Sequence, residues 1–560
     1  MTFHFPPAIE LAPAWLAYSS EKDGIALQVL APPETWHADP AFGQHCERLF
    51  DLDGANCHDV GSKLAFLGFS FCVLISDARR KKVLIANGAN SLLRLYFRTD
   101  QKRLRIADSL PPPGSLSELL DVVNRQELVR FLACAWSSGP FEVSFTSESI
   151  RRDWQRLPNS HYMVFDAYST AAPARPFDNI FNALDAGGLS PAGAVETLRH
   201  ALDEHLRRLA STGRLAAEFS GGIDSGIVYA RSSALLGHDF IGGVTAEYPF
   251  PEFRREKPFR DAIVASAGGS VHLADPAKML PFQRLKQVPC HDEPSVGSTS
   301  WGQFAEAVNV ARRAGAGVLL NGHGGDLAFL VPPTAPLRHA GLGEVPDWIP
   351  QRLAMEVAGA AEDAIDRMNA FIPGLSGYWH PGMFEAGYLG RYANAESPSV
   401  RYTSGLVSRD VARAALQLWA LEPERARHVQ KPIAHAAFGR DLPLDVWQRP
   451  GKVNHIGNVF RGAKAAAGDI RDLVRDYAEV LGVAGITPAR FIAYADAVAS
   501  GHHAANPFFS QALSVLVWAH SSTRAPAPQR AASISAPHGS FCATGLPSAA
   551  KSINWSLERA

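Results

Sequence analysis

Cysteine is scarce in this chain: Cys46, Cys57, Cys72, Cys134, Cys290 and Cys542 are the only six in 560 residues. They lie far apart and none forms a Cys-x-x-Cys pair, which argues against a structural zinc site and fits a reducing cytoplasm. An excess of one charge is missing too. Lys and Arg number 54 against 55 Asp and Glu, for a formal net charge of -1. No global field therefore draws in nucleic acid, although Arg254, Arg255 and Lys257 are a candidate local basic patch. Met1 to Ala17 lacks a basic stretch followed by an apolar one, so no secretory signal is expected. The longest apolar run, near Ala65–Ile75, is too short for a membrane helix and reads as a buried strand. No Gly-x-x-x-x-Gly-Lys-Ser/Thr string occurs, so γ-phosphate transfer from a P-loop is the less expected chemistry. There is no internal repeat.

What remains is an ordinary globular composition, long enough for two to four domains. Residues 1 to about 175 read as strand-rich. Phe66–Ile75 and Lys82–Ile85 flank the turn Asp77-Ala78-Arg79, Leu95–Phe97 and Leu104–Ala107 follow, and His161–Phe165 is the last strand. Pro111-Pro112-Pro113-Gly114 is a loop and Leu116–Ala133 a helix. Ala171–Pro176 is a candidate linker.

From Pro191 the pattern changes. Glu196–Leu209 is an amphipathic helix with Leu198, Leu202 and Leu206 on one face. Strands at Leu215–Phe219, Phe240–Thr245, Val271–Leu273 and Gly317–Leu320 alternate with helices from Ile227, at Pro258–Ala267 and at Trp301–Ala314. Such alternation predicts a parallel, doubly wound sheet. Beyond residue 350 the chain reads as helical, at Gln351–Ala370, Ser408–Leu421, Lys431–Phe438 and Ala467–Leu481. From about Ser522 it is rich in Ala, Pro and Ser and is expected to be poorly ordered. The expected parts are 1–175, 190–520 and 522–560.

The chemistry is carried by Glu218-Phe219-Ser220-Gly221-Gly222-Ile223-Asp224-Ser225-Gly226, where an apolar strand runs through two glycines into a helix. Glycines let the backbone come close to a ligand. Successive N–H groups, the hydroxyls of Ser220 and Ser225 and a helix N-terminus together make an anion cradle. Asp224 is out of place beside phosphate unless a magnesium ion bridges the two. A turn with an Asp cap is the alternative, and the full string between strand and helix argues against it. Leu319-Leu320-Asn321-Gly322-His323-Gly324-Gly325-Asp326 is a second strand running into a glycine turn that ends in Asp.

The first string resembles the pyrophosphatase loop of the asparagine synthetase group, which includes β-lactam synthetases and lasso peptide cyclases. The resemblance spans about residues 60 to 470. It implies an AMP-forming amide ligase with ATP and Mg²⁺, in which Ser220, Gly221, Gly222, Asp224 and Ser225 hold pyrophosphate. It also implies that the second turn faces the first, with Gly322 and Gly324 among the nucleotide-binding residues and Asp224 and Asp326 on one magnesium. Lys431-Pro432-Ile433 … Leu442-Pro443 … Arg449-Pro450-Gly451-Lys452 resembles the family's segment that brings a lysine to the phosphates. Lys452 is the first choice for that role and Arg449 the second, with plain surface charge as the alternative. Val244 and Thr245 fall where the family contacts adenine. Asp292-Glu293-Pro294 resembles a recurring acidic turn and reads equally well as a helix-entry cap, and Glu256, before an alanine-rich helix, also matches a recurring acid.

The implied fold class is α/β: a degenerate glutaminase-like β-rich sandwich domain, then a doubly wound parallel-sheet ATP-pyrophosphatase domain with a helical C-terminal extension. Arg156-Leu157-Pro158-Asn159-Ser160-His161 parallels a family glutaminase segment. Active family glutaminases carry Cys after the initiator Met, however, and here Thr2 stands there. The glutamine-holding segments are also missing, so the attacking amine should come from a substrate. His323 occupies the place of the β-lactam synthetases' catalytic tyrosine. It could take a proton from the amine, or merely hydrogen-bond the turn.

The Gly-His-Gly-Gly-Asp turn, Thr2 and the long helical C-terminal half look most like a lasso peptide cyclase. That resemblance implies a precursor peptide substrate, a leader-binding protein and a leader peptidase as companions, and no nucleic acid or membrane span. The rival readings are a β-lactam synthetase-type ligase of a small amino acid and a non-catalytic scaffold.

Overall fold

The computed structural model describes residues 4–11, 16–36, 39–52, 57–68, 70–88, 93–100, 103–133, 146–167, 174–176, 188–330, 335, 346, 348–370, 379, 399–421, 430–449, 451 and 456–524. Thr2, Lys452 and most of the tail from Ser522 lie outside them. The N-terminal region holds two sheets. Strands β1 (His4–Glu10), β2 (Leu16–Lys22), β3 (Ile25–Leu30), β4 (Cys72–Asp77), β5 (Lys82–Asn87), β6 (Tyr96–Asp100), β7 (Arg103–Ala107), β8 (Gln155–Arg156), β9 (His161–Asp166) and β10 (Arg175–Pro176) divide between them. One sheet has the order β10-β9-β5-β4-β3-β2 and is antiparallel throughout. The other has the order β1-β7-β6-β8, with its β1–β7 pair parallel and the rest antiparallel.

Alternation sorts the larger sheet's side chains into two cores. Leu74, Val83 and Ile85 face Phe97, Leu104 and Ile106 of the other sheet, and Val73, Ile75 and Leu84 face the short helices around Phe42, Val60 and Leu64. The apolar run near Ala65–Ile75 is therefore not one strand. A 3-10 turn at Ala65–Leu67 ends at Gly68, with φ +74°, and the strand starts at Cys72. Strands β1 to β3 lacked a clear sequence signal. The stretch Leu116–Ala133 forms two helices, Leu116–Val122 and Arg125–Ala133, broken where Val123 bridges to Arg151.

The second region is a five-stranded parallel sheet of β11 (Leu215–Glu218), β12 (Phe240–Ala246), β13 (Val271–Ala274), β14 (Val318–Asn321) and β15 (Arg401–Ser404), in the order β13-β12-β11-β14-β15. Its first helix, Pro191–Ala210, is longer than the Glu196–Leu209 of the sequence reading. Ser190 caps it, accepting from Gly193 N at 3.1 Å, and Pro191 supplies the fixed φ of a first helical turn. Leu215, Ala217, Val318 and Leu320 pack under helices Pro191–Ala210, Ile223–Leu236, Arg409–Leu421 and Pro432–Phe438. Ala216, Leu319 and Tyr402 pack on the other face under Trp301–Arg313. Helices thus cover both faces, as a parallel sheet requires. β15 escaped the sequence reading because Arg-Tyr-Thr-Ser carries no apolar run.

C-terminal helices complete the architecture. Ala467–Asp476, Ala478–Ala484, Pro488–Ala499 and Pro507–Arg524 share a core with Leu116–Val122, Arg125–Ala133 and Gln351–Ala370. The stretch Ala467–Leu481 is two helices, parted at Tyr477. Among the described residues no helix is long and apolar enough to cross a membrane.

Candidate active site

The strand order places a crossing point between β11 and β14. Chain connections leave these two neighbours in opposite directions across the sheet, so a crevice opens beyond their carboxyl ends. Both glycine strings lie there. After β11, Gly221 has φ +83°, and a side chain at that position would sit 2.7 Å from Arg260 Cγ. Gly222 is the N-cap of helix Ile223–Leu236. The two loop serines tie the turn together. Ser220 N donates to Ser225 Oγ at 3.3 Å, the two hydroxyls are 3.1 Å apart, and Gly222 N donates to Ser220 Oγ at 3.3 Å.

The second turn packs directly on the first. A Cβ on Gly322 would lie 3.0 Å from Ser225 N and 3.2 Å from Asp224 Cβ, and one on Gly325 would strike the Asp224 carboxylate. Asn321 Oδ1 accepts from His323 N at 2.9 Å, and Ser404 Oγ of β15 donates to His323 O at 2.8 Å. These bonds fix the turn's backbone while the His323 side chain reaches the exposed rim.

Asp224 and Asp326 meet at one cation, the ammonium of Lys431. Lys431 Nζ donates to Asp224 Oδ2 and lies 2.7 Å from Asp326 Oδ1. Lys431 is 5% exposed, so burying it costs less with these partners than without them. Its backbone is left-handed, φ +56°, immediately before Pro432 opens helix Pro432–Phe438. A non-glycine residue in that conformation costs about 1–3 kcal/mol, a strain that persists where surrounding structure requires it. Asp326 is 56% exposed at its side chain, so the cluster opens toward solvent on that side.

Arg449 comes to the same loop from another direction. Its guanidinium donates to Gly221 O at 3.0 Å, to Glu256 Oε1 and Oε2 at 2.7 and 2.9 Å, and to Gly451 O at 3.1 Å. It also stacks over Phe259, 4.9 Å from the ring centroid. These contacts grip the loop's backbone. Val244 and Thr245 end β12 beside the loop: Val244 O accepts from Phe219 N at 2.8 Å, and Thr245 Oγ1 lies 3.4 Å from Arg260 Nη1. Lys452 lies outside the described residues.

Sequence reasoning did not single out Lys431 for the carboxylates, nor Glu256 as Arg449's partner. The signal for Lys431 was its proline neighbour, which places a side chain just ahead of a helix start. Glu293, one of the recurring acids, is not at this site. It is buried between Arg94 and Arg156, accepting from Arg156 Nη1 at 2.6 Å with both carboxylate oxygens.

Two carboxylates from two loops, a lysine between them and a glycine turn at a helix N-terminus suit a metal-bound polyphosphate. Among the described residues no cluster of three or more His, Cys, Asp or Glu could hold a metal alone. Magnesium commonly takes one or two carboxylates and completes its shell with phosphates and water, so the pair fits that ion. No curated protein matches the chain. Residues 197–433, which contain both loops and Lys431, match the family described as asparagine synthase. Over those residues the chain is similar to the asparagine synthase family, whose activity at family level is ATP-dependent amide-bond ligation.

Proposed function

We propose that this protein is a lasso peptide macrocyclase. It adenylates an Asp or Glu side chain of a precursor peptide and joins that carboxyl to the peptide's N-terminal amine. The observation that carries the ligase chemistry is the meeting of Asp224 and Asp326, 102 positions apart in the numbering, on Lys431 beside the Ser220–Ser225 loop. In this reading the substrate carboxylate attacks the α-phosphorus of ATP, and pyrophosphate leaves into the cradle of Ser220, Gly221, Gly222 and Ser225, with Gly322 and Gly324 shaping its far wall. Val244 and Thr245 border the adenine. Lys431 places positive charge where the pyrophosphate gains negative charge, with Lys452 as a second source. Arg449 keeps the loop open through Gly221 and Glu256. Magnesium, when bound by Asp224 and Asp326, supplies further neutralisation of the phosphates. The peptide's amine then attacks the acyl carbon, AMP departs, and His323 at the rim is the candidate proton acceptor.

The lasso reading rests on the Gly-His-Gly-Gly-Asp turn, on Thr2 in place of a glutaminase cysteine and on the C-terminal helices. Closing a ring of about eight residues costs about 2 kcal/mol in the length-dependent entropy term. Holding a threaded tail fixes further residues at about 1–2 kcal/mol each. Threading is therefore the larger demand, and the helical region would be the wall that pre-folds the peptide. A leader-binding protein and a leader peptidase would supply the trimmed substrate, in a cytoplasm that supplies ATP.

The test uses the purified protein, ATP, Mg²⁺ and the trimmed peptide encoded beside its gene. The expected result is one AMP and one pyrophosphate per product, which is lighter than the substrate by one water and resists carboxypeptidase because its tail is threaded. ADP as product would overturn the ligase reading. ATP–pyrophosphate exchange supported by small amino acids, and not by the peptide, would replace the macrocyclase with a small-molecule ligase. An unthreaded ring would remove the pre-folding wall.

A further inference from the structure

Charge on the smaller N-terminal sheet is out of balance. Phe97, Leu104 and Ile106 of β6 and β7 point between the two sheets, so alternation puts Arg98 and Arg105 on the opposite face. These two arginines are direct partners across the strands. Like charges in that position repel and destabilise a sheet. Asp153 relieves Arg98 alone of the two. Its Oδ2 accepts from Arg98 Nη1 at 3.2 Å, and its two oxygens accept from Arg151 Nε and Nη2 at 3.0 and 2.7 Å. Arg105 has no ion pair and no side-chain hydrogen bond among the described residues. The next pair on this face, Asp100 opposite Arg103, carries one charge of each sign and restores nothing.

Hydrogen-bond donors are in excess at the same place. Trp154 immediately precedes β8, the strand that pairs with β6, and its ring centroid is 4.7 Å from the Arg98 guanidinium carbon. Trp154 is 3% exposed, and its indole N–H is buried without an acceptor. Nε of Arg98 and Nε of Arg105 are buried without an acceptor too. Orphaned donors are costly, and three on neighbouring residues of one row call for an acceptor from outside the chain. The Arg98 and Asp153 side chains are 25% and 30% exposed, so the row is open to solvent.

We propose that Arg98, Arg105 and Trp154 form a binding site for a phosphate group, outside the crevice that holds the two aspartates. With Asp153 as the one carboxylate paired to Arg98 and Arg151, the row is left with two surplus positive charges. A carboxylate ligand would cancel one of them. A phosphate dianion cancels both, and its several oxygens suit planar guanidinium forks and an indole N–H. Free phosphate and a phosphate monoester share that chemistry. The site does not depend on the amide-ligase reading, and it gives the N-terminal region a ligand of its own.

The test is calorimetric titration of the full chain with inorganic phosphate, phenyl phosphate and acetate at matched ionic strength. MgATP is kept saturating, so that the Ser220–Ser225 loop is already filled. Wild type should bind inorganic phosphate and not acetate. Added binding of phenyl phosphate extends the site to esters, and its absence confines the site to the free ion; the proposal holds in both cases. In Arg105→Gln the phosphate Kd should rise about tenfold or more, and Trp154→Phe should show a smaller rise. Without phosphate, Arg105→Gln should melt no lower than wild type, because the like-charge pair is gone. Near-wild-type phosphate affinity in Arg105→Gln overturns the proposal, as does preference for acetate. A marked loss of phosphate-free stability in Arg105→Gln also overturns it, by making the arginine a structural element.

Discussion

Among the described residues, two of the clusters of buried opposite charge are built differently. At the seam between the N-terminal sheets and the parallel-sheet region, Arg94 and Arg156 close on Glu293, and Arg156 Nη2 reaches Glu127 Oε2 at 3.2 Å. All four side chains are under 10% exposed, and the positive groups are planar forks that match carboxylates. At the crevice, one flexible lysine stands between two aspartates, one of them more than half exposed, with glycines where side chains would fill the space. The first cluster is closed. The second is open, and its lysine is held by a strained backbone. Buried charge alone does not mark an active site; an opening toward a ligand does.

The sharpest way to break this comparison is to remove one acid from each cluster. Glu293→Gln leaves Arg94 and Arg156 without their shared counter-charge and should cost about 3–5 kcal/mol of stability, read from urea unfolding. Loss of ATP cleavage with stability intact would instead put Glu293 in the chemistry. Asp224→Asn should do the reverse. Its release of AMP and pyrophosphate should fall by about a hundred- to a thousandfold, while the urea midpoint holds because Lys431 keeps Asp326.

A smaller effect sharpens the role of the glycines. Gly221→Ala forces a Cβ onto Arg260 at a left-handed φ. It should cost about 2 kcal/mol and weaken ATP binding, measured by calorimetry, about tenfold or more. Wild-type affinity would show that the loop does not need its left-handed glycine.

How much of this could be read from residues alone follows from distance along the chain. Ser220–Ser225 and Gly322–Asp326 were legible because each is a local string at a strand end, with its strand and turn beside it. Gln351–Ala370 was legible to the residue because its apolar period is unbroken. The Lys431 ion pairs span more than 100 positions to either aspartate, and no local pattern encodes a contact of that kind. Arg449's grip on Glu256 is hidden for the same reason. β15 was missed because an edge strand of Arg-Tyr-Thr-Ser looks like loop, although its register against β14 brings Ser404 to the second turn.

The smallest effect concerns Glu218, which belongs to neither cluster. Its unfolded carboxyl titrates near 4.5 and its folded one near 7. The folded state therefore binds the proton more tightly, and this residue's contribution to stability declines as pH rises from 4.5 to 7. Glu218→Gln should remove that decline. The stability of the variant minus that of wild type should grow by roughly 1–2 kcal/mol across this window, after allowance for partial exposure. A constant difference would mean that the carboxyl titrates alike in both states.

The central claim is that two loops, each ending in an aspartate, form one metal–nucleotide site. Its most direct test is the shift in melting temperature caused by MgATP in the wild type, Asp224→Asn and Asp326→Asn. The account predicts a clear rise in the wild type and none in either variant. A rise of wild-type size in either variant would contradict it.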